Sequence, residues 1–279
     1  MNKVNVISLG CSKNLVDSEL LLKQLAHAGY RTETDAENSD AEVVVINTCG
    51  FIGDAKEESV NTILEQVERK KAGIVKRLLV MGCLSQRYGN ELRKEIPEAD
   101  AFFGKFDWKG ILADLGQHYE DTLRNQRQLT TPGHYAYLKI AEGCNRTCSY
   151  CAIPIMTGKY QSRGMDEILE ECRELVKNGV KELLVIAQDL TYYGTDLYGR
   201  NKLAELVERI SDIPGVEWIK LHYAYPAAFP EEILKVMRER DNVCKYLDIA
   251  LQHCSDSMLK MMRRGVDKLQ TIRLVEKIR

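Results

Sequence analysis

The chain has 279 residues, a net charge of −2, 44% hydrophobic and 29% charged residues. These values suit about two folded domains and exclude a wholly disordered chain. The near-neutral balance also argues against a dedicated nucleic-acid binder and gives no strong nucleic-acid signal. No apolar run approaches the roughly 18–20 residues that span a bilayer, and the apolar stretch near the start is too short for a secretory signal. A cytoplasmic protein with no membrane partner is therefore expected. Its nine cysteines then stay reduced and read as metal ligands, catalytic groups or small core residues before disulfides.

Val4–Leu9 reads as a buried strand, and Leu15–Ala28 as a helix ended by Gly29. Thr32–Thr34 is a minor strand and Val43–Ile46 a clear one. Ala55–Arg69 reads as a helix, Leu78–Met81 as a strand, Arg87–Glu95 as a helix and Ala101–Phe103 as a short strand. Asp107 can cap a helix from Trp108 to Gly116. This alternation predicts a Rossmann-like, parallel-sheet α/β domain over residues 1–116. Residues 117–133 are polar, lack apolar periodicity and contain Pro-Gly near their end, which predicts a linker.

A second alternating series runs over 134–279. Its expected strands are Tyr135–Ile140, Leu183–Ala187, Trp218–Leu221 and Tyr246–Ala250. Its expected helices are Ile168–Lys177, Leu203–Ile210, Ile233–Arg238, Met258–Met262 and Leu269–Ile278. Such a series gives an open sheet or a TIM-like (β/α) barrel. With about four strands visible, and no cap signal at Arg279, a partial barrel is expected.

Cys11, Cys49 and Cys83 each follow a strand of the first series. In a parallel sheet such positions share one edge, where ligands bind. Helix N-termini there favour thiolates. The bland alternative is three small buried cysteines. Cys144, Cys148 and Cys151 form C-x3-C-x2-C in EGCNRTCSYCAIP, after the strand Tyr135–Ile140. Three thiolates so close repel unless a cation shares them. Iron–sulfur clusters use such runs. Structural zinc wants four ligands, and no second C-x2-C exists here. Three ligands on a four-iron cluster leave one iron open. Iron–sulfur, zinc and metal-free readings remain, in that order.

The run C-x3-C-x2-C, with an aromatic residue before its third cysteine and after the first strand of a (β/α) series, resembles the radical S-adenosylmethionine (SAM) superfamily. SLGCSKNLVDSE, NTCGFI and MGCLSQRY resemble its methylthiotransferase branch. AQDLTYYGTDLYG, LHYAYP and YLDIALQHCSDSMLKMMRRG are similar to the members that modify a ribosomal protein. The likeness covers essentially the whole chain. It implies two [4Fe-4S] clusters, a radical SAM cluster on Cys144, Cys148 and Cys151 and an auxiliary one on Cys11, Cys49 and Cys83. It implies SAM as cofactor, with Tyr150 beside the adenine, and an electron donor such as flavodoxin or ferredoxin. The implied substrate is an aspartate of ribosomal protein S12, methylthiolated at its β-carbon. Relatives acting on a tRNA adenosine more often carry GQNVN where this chain has AQDLT. From a different class, a non-catalytic iron–sulfur carrier or scaffold needs fully ligated irons, which two groups of three cysteines do not give. The family usually adds a C-terminal TRAM domain, which no stretch here resembles. It also leads one to expect an extra arginine near Thr157 or Gln161 and a proline at Gly164.

Gln188 and Asp189 end the second strand of the series and are candidate SAM contacts; strand-end solvation is the alternative. His222 and His253 lie near strand ends. Lys159 and Arg163 are candidates for contacting an acidic substrate loop, or ordinary loop charges. Cys172, Cys244 and Cys254 read as structural. Arg69–Lys71 and Arg263–Arg264 read as solvated faces.

Overall fold

Strand β3 (Val43–Thr48) is buried along its whole length, as a central parallel strand must be when helices cover both faces. Its pleat sends Val44 and Ile46 to one face and Val43 and Val45 to the other, each into a separate core. The structure, a computed structural model, describes residues 3–279. It divides into two units, one ending at Thr130 and one beginning at Thr131.

In the first unit β1 is Lys3–Ser8, α1 Ser12–His27, β2 Arg31–Thr34, α2 Gly53–Lys71, β4 Arg77–Gly82, α3 Cys83–Glu95, β5 Ala101–Phe102 and α4 Trp108–Asp114. The five strands are parallel, in the order β2-β1-β3-β4-β5. This is the flavodoxin-type doubly-wound order, whose ligand edge lies at the β1/β3 switch point. Leu21, Leu22, Leu25, Ile111 and Leu112 from α1 and α4 fill one face. Ile63, Val67, Leu84 and Leu92 from α2 and α3 fill the other.

Residues 117–130 are not a free linker. Arg127 pairs with Glu19 of α1 at 2.8 Å. The Thr130 amide and hydroxyl donate to the other Glu19 oxygen at 2.8 and 3.0 Å. Gln24 exchanges two hydrogen bonds with the Glu120 backbone. The stretch looked loose in sequence because polar groups, not an apolar stripe, attach it.

In the second unit β6 is Tyr135–Lys139, β7 Ala141–Glu142, α5 Ile153–Thr157, β8 Gln161–Ser162, α6 Met165–Lys177, β9 Glu182–Ile186, α7 Thr195–Tyr198, α8 Leu203–Ser211, β10 Trp218–Ala224, α9 Glu232–Glu239, β11 Val243–Ile249, α10 Asp256–Met261 and α11 Lys268–Ile278. Strands β11-β10-β9-β6 form a four-stranded parallel sheet, and β7 and β8 pair antiparallel. This is an arc of the expected barrel. On α6 the buried residues Ile168, Leu169, Cys172 and Leu175 recur at helical spacing, which is what packs the helix on the sheet. The small elements β7, β8, α5 and α7 escape periodicity because each is five residues or fewer. Among the described residues no helix is long and apolar enough to cross a membrane.

Candidate metal centres

The register of the first sheet sets the level at which its chain segments emerge. Ser8 lies beside Asn47, and Thr48 beside Gly82. Cys11, Cys49 and Cys83 therefore leave the sheet at one edge. Two glycines then remove the side chains that would hold them apart. A Cβ on Gly10 would sit 2.6 Å from Cys49 Cβ and 2.8 Å from its Sγ. A Cβ on Gly50 would sit 2.9 Å from the Cys83 carbonyl carbon. Gly10 also has φ +89°, a backbone state that glycine adopts without strain.

Cys11 occupies the N-cap of α1, and Cys83 is the first residue of α3. The helix expected over Arg87–Glu95 thus begins earlier, at Cys83. Helix α3 departs from helical geometry at Tyr88, and its buried residues are Cys83, Leu84 and Ser85 before that point and Leu92 after it. Cys83 Sγ lies 3.6 Å from Asn14 Oδ1. Asn14 in turn donates to the Leu9 and Thr48 carbonyls at 3.0 Å, tying the β1 and β3 ends together. The Cys49 amide donates to Ser59 Oγ at 3.0 Å. Burial pushes the Cys83 thiol up to about 12, eased by Lys105 and raised further by nearby Cys11 and Cys49. Burial also pushes the Cys49 thiol up. For both thiols burial is the largest cause, and it disfavours the thiolate.

The second triad sits on the loop after β7. Gly143 (φ +82°) has no room for a side chain, because the Lys159 carbonyl occupies that space. The Cys144 amide donates to the Gly158 carbonyl at 3.2 Å. Cys144 Sγ accepts from the Arg146 amide at 3.4 Å. Burial pushes the Cys144 thiol up to about 11 and the Cys151 thiol up as well. Cys148 Sγ lies 3.5 Å from the Tyr225 hydroxyl and accepts from Arg264 Nη1 at 3.2 Å. Tyr150 is 48% exposed, with its hydroxyl 3.0 Å from the same Arg264 nitrogen. The Tyr225 ring lies between two guanidinium groups, Arg146 and Arg264, each 4.1 Å from its centroid.

Asp189 is buried. One oxygen accepts from Arg146 Nε at 2.8 Å, and the other from the Thr191 amide at 3.0 Å. Both oxygens are thus engaged in fixing the loop. The Gln188 amide donates to Glu142, and its buried Oε1 has no partner. Arg163 is bound to Glu167 and Glu171 at 3.1 and 2.6 Å, so it is a structural ion pair and not a substrate contact. Lys159 is exposed. His222 Nδ1 lies 3.5 Å from Asp248. His253 accepts from the Ser255 amide. Cys172 is core, as expected, while Cys244 is half-buried and Cys254 exposed.

Sequence reasoning missed Arg146, Tyr225 and Arg264. Arg146 lies inside the cysteine motif itself, which was its available signal. Arg264 was read as a solvated charge, but it is 3% exposed. Arg263 takes the left-handed conformation (φ +55°), and that turn decides which arginine points inward. Three further non-glycine residues of this unit, Tyr223, Ala228 and Gln252, also have positive φ, and all three follow or end β10 and β11. Backbone strain of this kind gathers at functional sites.

Among the described residues no three His, Cys, Asp or Glu side chains are set to close around a single metal ion. A lone zinc needs its thiolates about 2.3 Å from one centre. The all-thiol donor sets, three cysteines each, suit a larger thiophilic cluster with one site left open.

Comparison with known proteins agrees with this chemistry. Residues 3–104 match the uncharacterized protein family UPF0004. The chain is 64% identical over 277 residues to the ribosomal protein uS12 methylthiotransferase RimO of Bacteroides thetaiotaomicron, covering 99% of the chain and 64% of that relative. It is 63% identical over 278 residues to the protein of that name from Porphyromonas gingivalis, again covering 64% of the relative. The chain thus spans a little under two thirds of the length of these relatives. Among solved structures, the cobalamin-dependent radical SAM enzyme OxsB superposes with a TM-score of 0.68 at 11% identity, over 100% of this chain and 48% of that one. The radical SAM methyltransferase TsrM from Kitasatospora setae gives 0.65 at 13% identity, over 99% and 65%. These two likenesses speak for the fold. Residues 138–279, which run from the end of β6 to α11 and carry the C-x3-C-x2-C loop, match the radical SAM superfamily, and the chain belongs to that superfamily.

Proposed function

We propose that this chain comprises the auxiliary-cluster and radical domains of a methylthiotransferase, replacing a β-carbon hydrogen of an aspartate in ribosomal protein S12 with a methylthio group. The observation that carries the reading is the presence of two separate cysteine triads, each at the ligand edge of its own parallel sheet, in a chain 64% identical to a relative named for this activity. Cys144, Cys148 and Cys151 hold one four-iron cluster, and Cys11, Cys49 and Cys83 hold the other. When bound, the first cluster and SAM supply a carbon radical that removes hydrogen, the second cluster supplies sulfur, and another SAM supplies methyl.

The polypeptide's own part is positional. Gly10 and Gly50 let the first triad close up. Asn14 and Ser59 fix the strand ends beneath it. Arg146, anchored by Asp189, holds the second loop against Tyr225. Burial of Cys49, Cys83 and Cys144 keeps water from the thiolates. Tyr150, half-exposed beside the triad, offers an aromatic face for adenine, and Gln188 completes the SAM side of the loop, with Asp189 acting through Arg146. The reading implies a flavodoxin- or ferredoxin-type electron donor and a cytoplasmic setting.

The test offers the anaerobically reconstituted protein ribosomal protein S12 and unmodified tRNA in parallel, with SAM and reductant. Mass spectrometry is expected to find a methylthio group on the aspartate. A methylthiolated adenosine beside an unmodified aspartate would transfer the assignment to the tRNA enzymes.

A further inference from the structure

Three arginines drawn into this protein meet carboxylates at short range. Arg127 meets Glu19 at 2.8 Å, Arg146 meets Asp189 at 2.8 Å, and Arg163 meets Glu171 at 2.6 Å. Arg264 departs from this pattern. It is 3% exposed. Its partners are Cys148 Sγ, the Tyr150 hydroxyl, the Ala250 carbonyl and the Tyr225 ring, and its buried Nε has none. No carboxylate is among them. A buried cation without an anion is costly, and buried charges are ordinarily paired. One guanidinium nitrogen faces both the sulfur of Cys148, at 3.2 Å, and the Tyr150 hydroxyl, at 3.0 Å.

The turn that delivers Arg264 also grips the cysteine loop. The Ser149 amide and hydroxyl donate to the Met262 and Met261 carbonyls at 3.2 and 2.9 Å. The Tyr225 hydroxyl donates to the Arg264 carbonyl at 2.8 Å. Cys148 is therefore held from the next residue and from its own sulfur by one short segment at the end of α10. The strained φ of Arg263 is what turns that segment inward.

We propose that Arg264 is a positioning residue of the second triad, locking Cys148 and Tyr150 in place and serving as the fixed counter-charge of the cluster's thiolates. The proposal rests on the assignment of a four-iron cluster to Cys144, Cys148 and Cys151. A positive charge and a hydrogen bond at a ligand sulfur both make a cluster easier to reduce.

The test uses the full chain carrying Cys11→Ala, Cys49→Ala and Cys83→Ala, so that one triad remains. Iron content and the midpoint of a dithionite titration followed by electron paramagnetic resonance are measured for this parent, for Arg264→Lys and for Arg264→Gln. Arg264→Gln is expected to keep about four irons with a midpoint more negative than the parent, and Arg264→Lys to recover most of that shift. Loss of iron in the glutamine variant alone also supports the counter-charge, as a requirement for assembly. An Arg264→Gln midpoint equal to the parent's, with iron retained, overturns the proposal. Equal loss of iron in both variants overturns it too, since charge is then not what matters. A parent that takes up no iron contradicts the cluster assignment itself, and the proposal with it.

Discussion

At position 10 two constraints coincide, a left-handed backbone and a neighbour 2.6 Å from where a Cβ would stand. Gly10→Ala carries about 1–2 kcal/mol of backbone strain and also pushes Cys49 away. It is expected to lose the iron of the first triad and keep that of the second. Gly29 has a similar φ of +87° with nothing within 4 Å. Gly29→Ala is expected to pay only the backbone term, read as a small drop in unfolding temperature, with iron unchanged. Equal iron loss in both variants would remove the close-approach argument. Tyr150 tests the other triad. Tyr150→Phe keeps the ring and loses the Arg264 contact, so SAM affinity is expected to change little. Tyr150→Ala loses an aromatic contact of about 1 kcal/mol, or five- to tenfold in affinity. An unchanged binding isotherm for the alanine variant would place adenine elsewhere. At this scale the six cysteines were legible because their spacing and their places after strands are properties of the linear chain. Arg264 was not, because the sense of one turn at Arg263 decides its burial.

The elements that periodicity reveals most clearly are those with a mostly apolar buried stripe, such as α6 and α8. Helix α3 was read only from Arg87, because its first turn, Cys83 to Gln86, buries Cys83, Leu84 and Ser85 together and leaves no helical spacing to see. The pair β7 and β8 is held by contacts between residues about twenty apart, and two-residue strands leave no pattern. Residues 117–133 were read as a linker because the attachment of 117–130 is polar. Glu19 is the hub of that attachment, receiving Arg127 and Thr130. Glu19→Ala breaks the buried pair that Arg127 makes with it at 2.8 Å, a change of about 3–5 kcal/mol. The expected result is a lower unfolding midpoint for the first unit and new proteolytic cleavage within 117–133. A protected segment in that variant would show that Gln24 and Glu120 suffice to hold it.

Across the whole chain, two α/β units of different topology each present three cysteines at the carboxyl edge of a parallel sheet. The alternating strand and helix pattern gave the class of both units, since each unit is built from elements that follow one another along the chain. It did not give the flavodoxin-type strand order of the first, which depends on pairings between distant segments. The most direct measurement is iron and acid-labile sulfide per chain after anaerobic reconstitution. The chain itself is compared with a variant lacking the first three cysteines and one lacking the second three. Two four-iron sites predict about eight irons in the parent and about four in each variant, with SAM cleavage retained only where Cys144, Cys148 and Cys151 remain. A first-triad variant that keeps the parent's full iron content would contradict the presence of a cluster on Cys11, Cys49 and Cys83.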